Sequence, residues 1–448
     1  MSQKYHAGDS LALLAIDSDC DTLNWLNWDT QPDPGRWGGV TWSRDSLKRV
    51  LALQIHHCHL TGTMDLSPLT YLGSVDCYRN QLSALDVSNT NIGYIDCSNN
   101  RLSSLNVNGL AYLDYLICSN NRITELTMNE GLPYLEQVDC SGNLLTEIDI
   151  SSLPELDGLV CDSNQLTYLD LSSANLTLLQ CSANRFTELD VTSQVNLVRL
   201  ECRGNMLTEL DFLYHPRLRH LVCSWNRFSD LDVSALTNLH DLDCSGNLLT
   251  DLDVSGLQAL EYLDCRYNMM PFSSLARSLH VANLTCNPQD TLFEPRIIPG
   301  DTTLDYSTEA LIDTSETKFY FYKNGEEDET NYTGIYETGG PGVYYCAMRN
   351  PPLFPGLRLV TAPITIIPLG IEEENPDKIG IYPNPVADIL NLDIPVSQFQ
   401  VELFDMYGKK MYENCNVTEI DMPGYPSGVY YVKVCSGDDV WIGRVVKR

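Results

Sequence analysis

The sequence contains few basic residues and no long apolar run, and each absence excludes a class of function. Lys and Arg total 28 residues against 60 Asp and Glu, so the 448-residue chain has a formal net charge of −32 and a pI near 4.4. A nucleic-acid-binding protein needs a basic surface, which this composition does not provide. No apolar run reaches the length of about 18 residues that a membrane crossing requires. Residues 1–6 also lack the apolar core of a signal peptide, which leaves a cytoplasmic protein or a secreted one whose leader has been removed.

The 16 cysteines include no C-x-x-C pair, although disulfide frameworks and metal sites usually show close pairs. Instead, one cysteine recurs every 20 to 22 residues, eleven times, from Cys77 to Cys286. Each lies two positions after an apolar residue, as in Leu200-Glu201-Cys202, so both side chains share the buried face of a strand. Parallel Cβ vectors on strands about 4.8 Å apart give poor disulfide geometry. We interpret the column as buried thiols that pack as small apolar groups, with disulfides and metal ligation as the alternatives.

The cysteines belong to a repeated unit, L-x-x-L-x-C-x-x-N-x-L-x-x-L-D-V-S, followed by a short variable stretch. A fixed period of this length predicts a solenoid, because one unit cannot bury its apolar face alone. Only five residues separate Val254 from Leu260 of the next unit, which is too few for an ordinary helix. The second half of each unit also alternates at strand period. We therefore predict a mainly β fold with two parallel β-ladders back to back and few or no α-helices in the repeats.

Two polar columns accompany the cysteines. Asparagines three residues after the cysteines, with Asn287 directly after Cys286 counted as the last member, are expected to bond the turn backbone of their own and the adjacent repeat; they are Asn80, Asn100, Asn121, Asn143, Asn164, Asn184, Asn205, Asn226, Asn247, Asn268 and Asn287. Aspartates of the L-D-V-S-like segments form the second column: Asp86, Asp149, Asp170, Asp190, Asp211, Asp232 and Asp253. Carboxylates stacked about 5 Å apart repel by roughly 0.8 kcal/mol in water. Hydrogen bonds to the turn backbone could offset this repulsion, and bound Ca²⁺ is the alternative.

The repeat unit has the spacing of a leucine-rich repeat with cysteine at an inward position. Over roughly residues 50–288 it resembles the 21-residue class of internalin-like bacterial repeats, above all the internalin J-like members with a cysteine ladder. The resemblance implies a right-handed solenoid. It also implies an extracellular adhesin-like protein that binds host glycoproteins or partner cells through its concave face.

Residues 1–60 are predicted to cap the repeats, which then span 61–289. Asp9 is the candidate N-cap of a helical segment. The segment Asp33–Trp42 resembles the N-terminal cap of plant-type leucine-rich repeats, but Gly35 and Trp42 replace its two cysteines. Packed tryptophans are therefore expected to cover the first repeat. In His56-His57-Cys58-His59 the repeat register predicts a buried Cys58 thiol, with a metal site as the alternative.

Residues 290–370 leave the repeat period and contain strand-like runs at 318–323, 342–348 and 357–367. Gly342-Val343-Tyr344-Tyr345-Cys346 resembles the tyrosine corner of an immunoglobulin-like sandwich, with Tyr344 two residues before Cys346. The segment has no second cysteine, so the disulfide of that fold is missing. We predict an Ig-like β-sandwich spacer.

Residues 379–448 contain short alternating strands broken by Gly and Pro, which predicts another small β-sandwich. Their motifs resemble, in order and spacing, the C-terminal sorting domain of type IX secretion in Bacteroidota: Tyr382-Pro383-Asn384-Pro385, Tyr407-Gly408-Lys409, Ser427-Gly428-Val429-Tyr430 and the terminal Lys447-Arg448. The resemblance implies a Sec signal peptide that this sequence lacks, handling by the type IX machinery, and cleavage within 370–380. The product would be fixed to the cell surface or released. Cys415 and Cys435 are extra to the pattern, and could pair or remain two buried thiols.

Ligand-binding residues are expected where the repeats vary on the concave face. Exposed Trp, Tyr and Arg are enriched at binding hot spots, although single surface aromatics are also common. The candidates are Tyr94 and Tyr115 on adjacent repeats, and Arg199, Arg203, His220, Trp225, Tyr262, Arg266 and Tyr267.

No trio of nucleophile, base and orienting residue stands apart from the repeat columns, so a non-enzymatic protein without cofactor or metal is predicted. The favoured function is a secreted or cell-surface adhesin or recognition protein for a glycoprotein or protein of a host or partner cell. The alternative is a structural coat or biofilm component that acts by self-association.

Overall fold

The computed structural model describes residues 4–21, 23, 25–293, 295–367, 380–394, 396–405, 409–437 and 439–447. The chain forms two compact units, Met1–Asn268 with Arg277–Cys286, and Met269–Ala276 with Asn287–Arg448. Among the described residues, none of the helices has the length and hydropathy needed to cross a bilayer. The four domain boundaries drawn from the sequence stay predictions.

The N-terminal cap consists of strand Lys4–Tyr5, helix α1 (Ala7–Cys20), a 3-10 turn (Pro34–Arg36) and strands Val40–Trp42 and Leu47–Lys48. The N-cap of α1 is His6, whose ring accepts the backbone N–H of Asp9, so the prediction of Asp9 as N-cap is wrong. Asp9 is buried instead and accepts hydrogen bonds from the Arg49 guanidinium (2.9 Å) and the Val50 N–H (2.9 Å). The expected tryptophan cluster is present. Its ring centroids lie 5.9 Å apart for Trp28 and Trp37, and 6.3 Å apart for Trp37 and Trp42.

The repeats, together with strand Val40–Trp42 of the cap, build one sheet of 13 strands, here called the long sheet. Its first two strands are antiparallel and all later neighbours are parallel. Each repeat contributes one strand in unchanged register, as expected of a solenoid. Residues 61–268, all of them described, contain no helix. In order, the strands are Val40–Trp42, Val50–Gln54, Ser74–Asp76, Tyr94–Asp96, Tyr115–Ile117, Gln137–Asp139, Gly158–Val160, Leu178–Gln180, Arg199–Glu201, His220–Val222, Asp241–Asp243, Tyr262–Asp264 and Asn283–Thr285.

The cysteine column is a stack of free thiols. The ten members from Cys77 to Cys265 are at most 1% exposed, and burial raises their pKa values, that of Cys202 to about 12. Cys286 at the end of the column is only half-buried. Cys58 is half-buried too, and its thiol donates to the His56 carbonyl (3.3 Å), so the prediction of a buried Cys58 is wrong. Among the described residues, no three or more His, Cys, Asp or Glu side chains are arranged to hold a metal ion.

The asparagine column fastens each repeat to the one before it. In Asn226, for example, Nδ2 donates to the carbonyls of Cys223 (3.1 Å) and Cys202 (3.0 Å), and Oδ1 accepts the Leu207 N–H (3.0 Å). The same pattern holds from Asn80 to Asn268.

Asn287 was expected to close the asparagine column, but its side chain is exposed. Asn287 lies one residue after Cys286, and the position three residues after that cysteine is held by Gln289. The longer side chain of Gln289 accepts the Met270 N–H (3.1 Å), the equivalent hydrogen bond at this end.

The aspartate column caps turns. In the L-D-V-S-like segments one carboxylate oxygen accepts the N–H two residues later, at 2.9 to 3.0 Å. Hydrogen bonds from the following Ser or Thr lower the pKa values of Asp149, Asp170, Asp190, Asp232 and Asp253.

The second β-ladder is present only in part. Thr61–Asp65 pairs with Gln81–Asp86, and Ser104–Asn106 pairs with Glu125–Thr127, but residues 128–261 add no strand to it. From Glu147 onward both exposed positions of this segment are acidic in nearly every repeat. Like charges directly opposite each other destabilise strand pairing, which accounts for the loss of the ladder.

Residues 269–367 contain the helix α2 (Phe272–Leu275), 3-10 turns at Ala276–Ser278 and Ser307–Glu309, and a two-layer β fold. One layer is a six-stranded sheet of Arg296–Pro299, Ile364–Ile367, Gly342–Arg349, Lys318–Lys323, Glu326–Asn331 and Leu359–Val360. The other is the pair Thr303–Asp305 and Ile335–Glu337, beside a hairpin of Leu311–Ile312 and Ser315–Glu316. Phe321 and Tyr336 stack between the layers, with centroids 4.8 Å apart. The Tyr344 hydroxyl donates to the Gly340 carbonyl (2.7 Å), the hydrogen bond of a tyrosine corner, and Cys346 is a buried free thiol.

The C-terminal segment is a second two-sheet fold. Strands Gly380–Tyr382, Ile389–Asp393 and Glu419–Asp421 form one sheet, and Lys410–Cys415, Gln400–Asp405, Gly428–Ser436 and Asp439–Lys447 form the other. Val386, Leu390, Val401 and Val432 are among the fully buried residues of the core. Cys415 and Cys435 both pair with Gln400, from opposite sides. Because a whole strand separates them, at roughly 10 Å, they are too far apart for a disulfide.

Candidate functional site

One backbone position of the repeats is left-handed throughout. The second residue after each cysteine from Cys77 to Cys265 has φ between +53° and +68°. Glycine and asparagine tolerate this conformation, and they occupy half of the ten positions. Trp225 (φ +56°) and Tyr267 (φ +55°) are bulky residues at the same position. A bulky side chain there is a conformational outlier that costs of order 1–3 kcal/mol.

These two aromatic residues form one surface across three repeats. Their ring centroids lie 5.8 Å apart at an interplanar angle of 36°, and the residues are 49% and 37% exposed. Gly246 holds the position between them, and a Cβ atom there would lie 2.7 Å from Cδ2 of the Trp225 indole. The indole therefore lies over Gly246 and reaches toward Tyr267. We call Trp225, Gly246 and Tyr267 the aromatic platform.

Paired polar groups border the platform. Arg266 donates from Nε and Nη2 to the Asp264 carboxylate (3.0 and 2.6 Å), which raises the pKa of the guanidinium, and its Cζ lies 6.0 Å from the centre of the Tyr267 ring. Asp243 accepts hydrogen bonds from the hydroxyls of Ser224 (2.8 Å) and Ser245 (2.6 Å). These bonds hold the rim side chains in fixed orientations.

The other predicted ligand-binding residues lie outside the aromatic platform. Arg199 is bound to Glu201 (Nε to Oε1, 2.6 Å), and His220 Nδ1 lies 2.5 Å from the Asp241 carboxylate. Tyr262 is 53% exposed on the same repeat as Tyr267. Arg203 is exposed one repeat before Trp225.

Tyr94 and Tyr115 face each other in register, at 36% and 40% exposure. Four repeats lie between that of Tyr115 and that of Trp225. The structure therefore joins Trp225, Arg266 and Tyr267 in one cluster and leaves the Tyr94–Tyr115 pair as a separate one.

Sequence reasoning missed the residues that support the platform. Gly246 makes room for the indole, while Asp243 and Asp264 fix the rim. The signal for Gly246 was available, since it lies between two aromatics in a column otherwise rich in Gly and Asn. A further cluster, in which the His56 ring stacks on Tyr78 (4.8 Å), was also missed.

The sorting-motif residues serve mainly to hold the last strand. Asn384 Oδ1 accepts the Val446 N–H (2.9 Å), and its Nδ2 donates to the Arg444 carbonyl (2.7 Å). Lys447 Nζ donates to the Ala387 carbonyl (2.6 Å), and the Tyr430 hydroxyl donates to the Pro426 carbonyl (2.7 Å). Tyr382 is exposed, cis bonds precede Pro383 and Pro385, and Gly428 begins a strand. Gly408, Arg448 and nearly all of the predicted cleavage segment 370–380 lie outside the described residues.

Two family models match the chain. Residues 380–448 match the secretion system C-terminal sorting domain, and residues 216–256 match leucine-rich repeats (2 copies). The first match confirms the prediction of type IX secretion to the cell surface or the extracellular space. A search of curated proteins finds no match to this chain.

Solved structures of repeat proteins are similar at low identity. The functional domain of InlJ from Listeria monocytogenes, described as including a cysteine ladder, is 23% identical, with 70% of this chain and 90% of that chain covered and a TM-score of 0.41. A chain of the octameric complex of Latrophilin 3, Unc5D and FLRT2 is 20% identical over 53% and 85% of the two chains, with a TM-score of 0.44. A plant ice-binding protein is 22% identical over 65% and 89%, with a TM-score of 0.40.

Proposed function

We propose that this chain, a leucine-rich repeat protein sent to the cell surface or beyond by a type IX sorting domain, is a recognition protein whose binding centre is the aromatic platform. Its ligand is a protein or glycoprotein of a host or partner cell. The observation that carries the proposal is the pair of bulky aromatics at a left-handed backbone position where neighbouring repeats use Gly or Asn. The proposal assigns no catalytic activity to the chain.

The energetics favour binding over a structural role for the platform. Two non-glycine residues in this conformation cost about 2–6 kcal/mol together. An aromatic pair contributes about 0.5–1.5 kcal/mol beyond its buried area, and the two residues here remain 49% and 37% exposed. Their mutual contact therefore does not offset the backbone strain. A ligand that covers both rings would supply the missing stabilisation, as at binding hot spots.

The dimensions of the site limit the ligand. The platform spans three repeats, and with Arg203 the surface spans four, or about 15 Å at about 4.8 Å per strand. A few sugar rings of a glycoprotein or a short extended peptide fit this length. The rim offers the guanidinium of Arg266 and the carboxylate of Asp243 as polar contacts, both already oriented by neighbours.

The alternative of a self-associating coat is less favoured by charge. A chain with a net charge of −32 repels its own copies at neutral pH and low salt. A coat component would show concentration-dependent self-association without a heterologous ligand.

Binding of the full chain to glycan and glycoprotein arrays, followed by titration of the best ligand, tests the proposal. Replacing Trp225 with Gly should weaken binding by about 2 kcal/mol, a factor of roughly 30. The fold should be kept or slightly stabilised, because repeats with Gly142, Gly204 and Gly246 use glycine at this position. Tyr168→Ala, at an exposed aromatic outside the platform, is the matched control and should bind like the parent. Equal affinity of the Trp225→Gly protein, or its unfolding, would contradict the proposal.

A further inference from the structure

The end of helix α1 contains two buried carboxylates with unused oxygens. Asp17 and Asp21 are one helical turn apart and only 6% and 7% exposed. One oxygen of each is bound: Asp17 Oδ2 accepts the Asp29 N–H (2.8 Å), and Asp21 Oδ2 accepts the Leu26 N–H. The other oxygens, Oδ1 of both residues, are buried without a hydrogen-bond partner.

The surroundings make this end of the helix strongly negative. The last turn of α1 contains no basic residue, and the partly buried Arg49 of the cap is paired with Asp9. The helix dipole adds negative potential at its C-terminus, where the last carbonyl oxygens have no partner within the helix. Burial, followed by the charges of Asp29 and Asp21, raises the pKa of Asp17 despite its backbone hydrogen bonds.

Buried unsatisfied carboxylate oxygens call for a proton, a water molecule or a cation. The two residues are four positions apart and so lie on one face at the end of the helix, and oxygen is the ligand that Ca²⁺ prefers. Two thiols lie near the site, and both are occupied: Cys20 Sγ donates to the Thr63 carbonyl (3.2 Å) and Cys58 Sγ to the His56 carbonyl (3.3 Å). Sulfur ligands therefore do not direct the site toward Zn²⁺.

We propose that Asp17 and Asp21 bind a Ca²⁺ ion that neutralises the end of α1 and stabilises the N-terminal cap. The two free Oδ1 atoms are the anionic ligands, and carbonyl oxygens of the last helical turn and water complete the shell. Two protein charges make a weak site, with a dissociation constant of about 10⁻⁴ to 10⁻³ M, the range of extracellular calcium modules. That range suits a protein that works outside the cell. The bound ion ties α1 to the loop of Leu26 and Asp29, which leads to the tryptophan cluster.

Terbium luminescence and calcium titration of the chelator-treated full chain test this proposal. Four of the six tryptophans lie in the cap, so Tb³⁺ bound at Asp17 and Asp21 should show tryptophan-sensitised emission. Millimolar Ca²⁺ should displace the Tb³⁺ and raise the melting temperature by a few degrees, whereas NaCl at matched ionic strength should not.

Asp17→Asn with Asp21→Asn should abolish both the emission and the calcium-dependent shift. Asp19→Asn, an exposed aspartate on the same helical turn, is the matched control and should keep both. If the double variant does not fold, Asp17→Asn alone should lower Ca²⁺ affinity at least tenfold. The absence of sensitised emission and of a calcium-dependent shift in the parent would overturn the proposal in favour of a protonated or hydrated pair. Emission that persists in the double variant would overturn it as well.

Discussion

The asparagine column gives the sharpest stability prediction. In Asn226→Ala the variant loses the hydrogen bonds to the Cys202 and Cys223 carbonyls and from the Leu207 N–H, which are 3.0 to 3.1 Å long. The site is 8% exposed, so the Leu207 N–H stays buried without a partner, while the Cys202 and Cys223 carbonyls each keep one hydrogen bond, from Asn205 and Asn247. At about 0.5–1.5 kcal/mol for each bond, the free energy of unfolding should fall by about 3 kcal/mol. That is a large fraction of the 5–15 kcal/mol typical of folded proteins.

The chain provides its own control for this measurement. Asn287→Ala changes the same residue type at an exposed position directly after the last cysteine, where Gln289 holds the column position and supplies the hydrogen bond. Its free energy of unfolding should stay within about 0.5 kcal/mol of the parent. Urea unfolding followed by circular dichroism compares the three proteins. Equal stability of Asn226→Ala and Asn287→Ala would refute the assignment of the column as the fastening between repeats.

Three further predictions concern the thiols, the aspartates and export. Iodoacetamide should label Cys415 in the native protein, and it should label the ten thiols from Cys77 to Cys265 only after denaturation. Rapid native labelling of several of these ten thiols would contradict their burial. The turn aspartates have pKa values lowered by hydrogen bonds, so their contribution to stability is complete above the unfolded pKa of about 3.9 and is lost as pH falls through the lower folded values. Acid titration of Asp190→Asn should show a smaller loss than the parent in that window, and an identical loss would exclude the effect. Deletion of residues 379–448 in a Bacteroidota host should leave the protein in the periplasm, and fractionation that finds normal surface display would contradict the sorting role.

Regular features of this fold could be predicted from the sequence because they repeat. The strand register, the buried thiols and the exposure of Trp225 all follow from a sequence unit that recurs ten times with the same spacing. Features at the ends of the period could not be predicted this way. The last column position is held by Gln289, two residues after the expected Asn287, and Cys286 is half-buried because the next repeat is missing there.

Other departures depend on contacts that the repeat pattern does not encode. His6 caps α1 because Asp9 is drawn into a buried ion pair with Arg49, forty residues away. Trp225 could be placed at the edge of the sheet from its position in the repeat, but its approach to Tyr267 depends on the missing side chain of Gly246. The second ladder is interrupted by charge repulsion between neighbouring repeats, which alternation within one repeat does not reveal.

The asparagine hydrogen bonds between repeats all run in one direction along the solenoid. Every asparagine from Asn80 to Asn268 reaches back to the carbonyl and N–H groups of the preceding turn, never forward to the next. The backbone groups of a turn therefore have all their hydrogen bonds only once the next turn has packed on it. In a chain that folds from its N-terminus, the asparagine of each newly folded turn bonds the backbone groups of the turn before it. Only the last folded turn then lacks these hydrogen bonds. A break within the repeats therefore leaves one turn of the N-terminal fragment with unpaired backbone groups. The C-terminal fragment keeps the hydrogen bonds between its own turns, but its first asparagine has no preceding turn to bond.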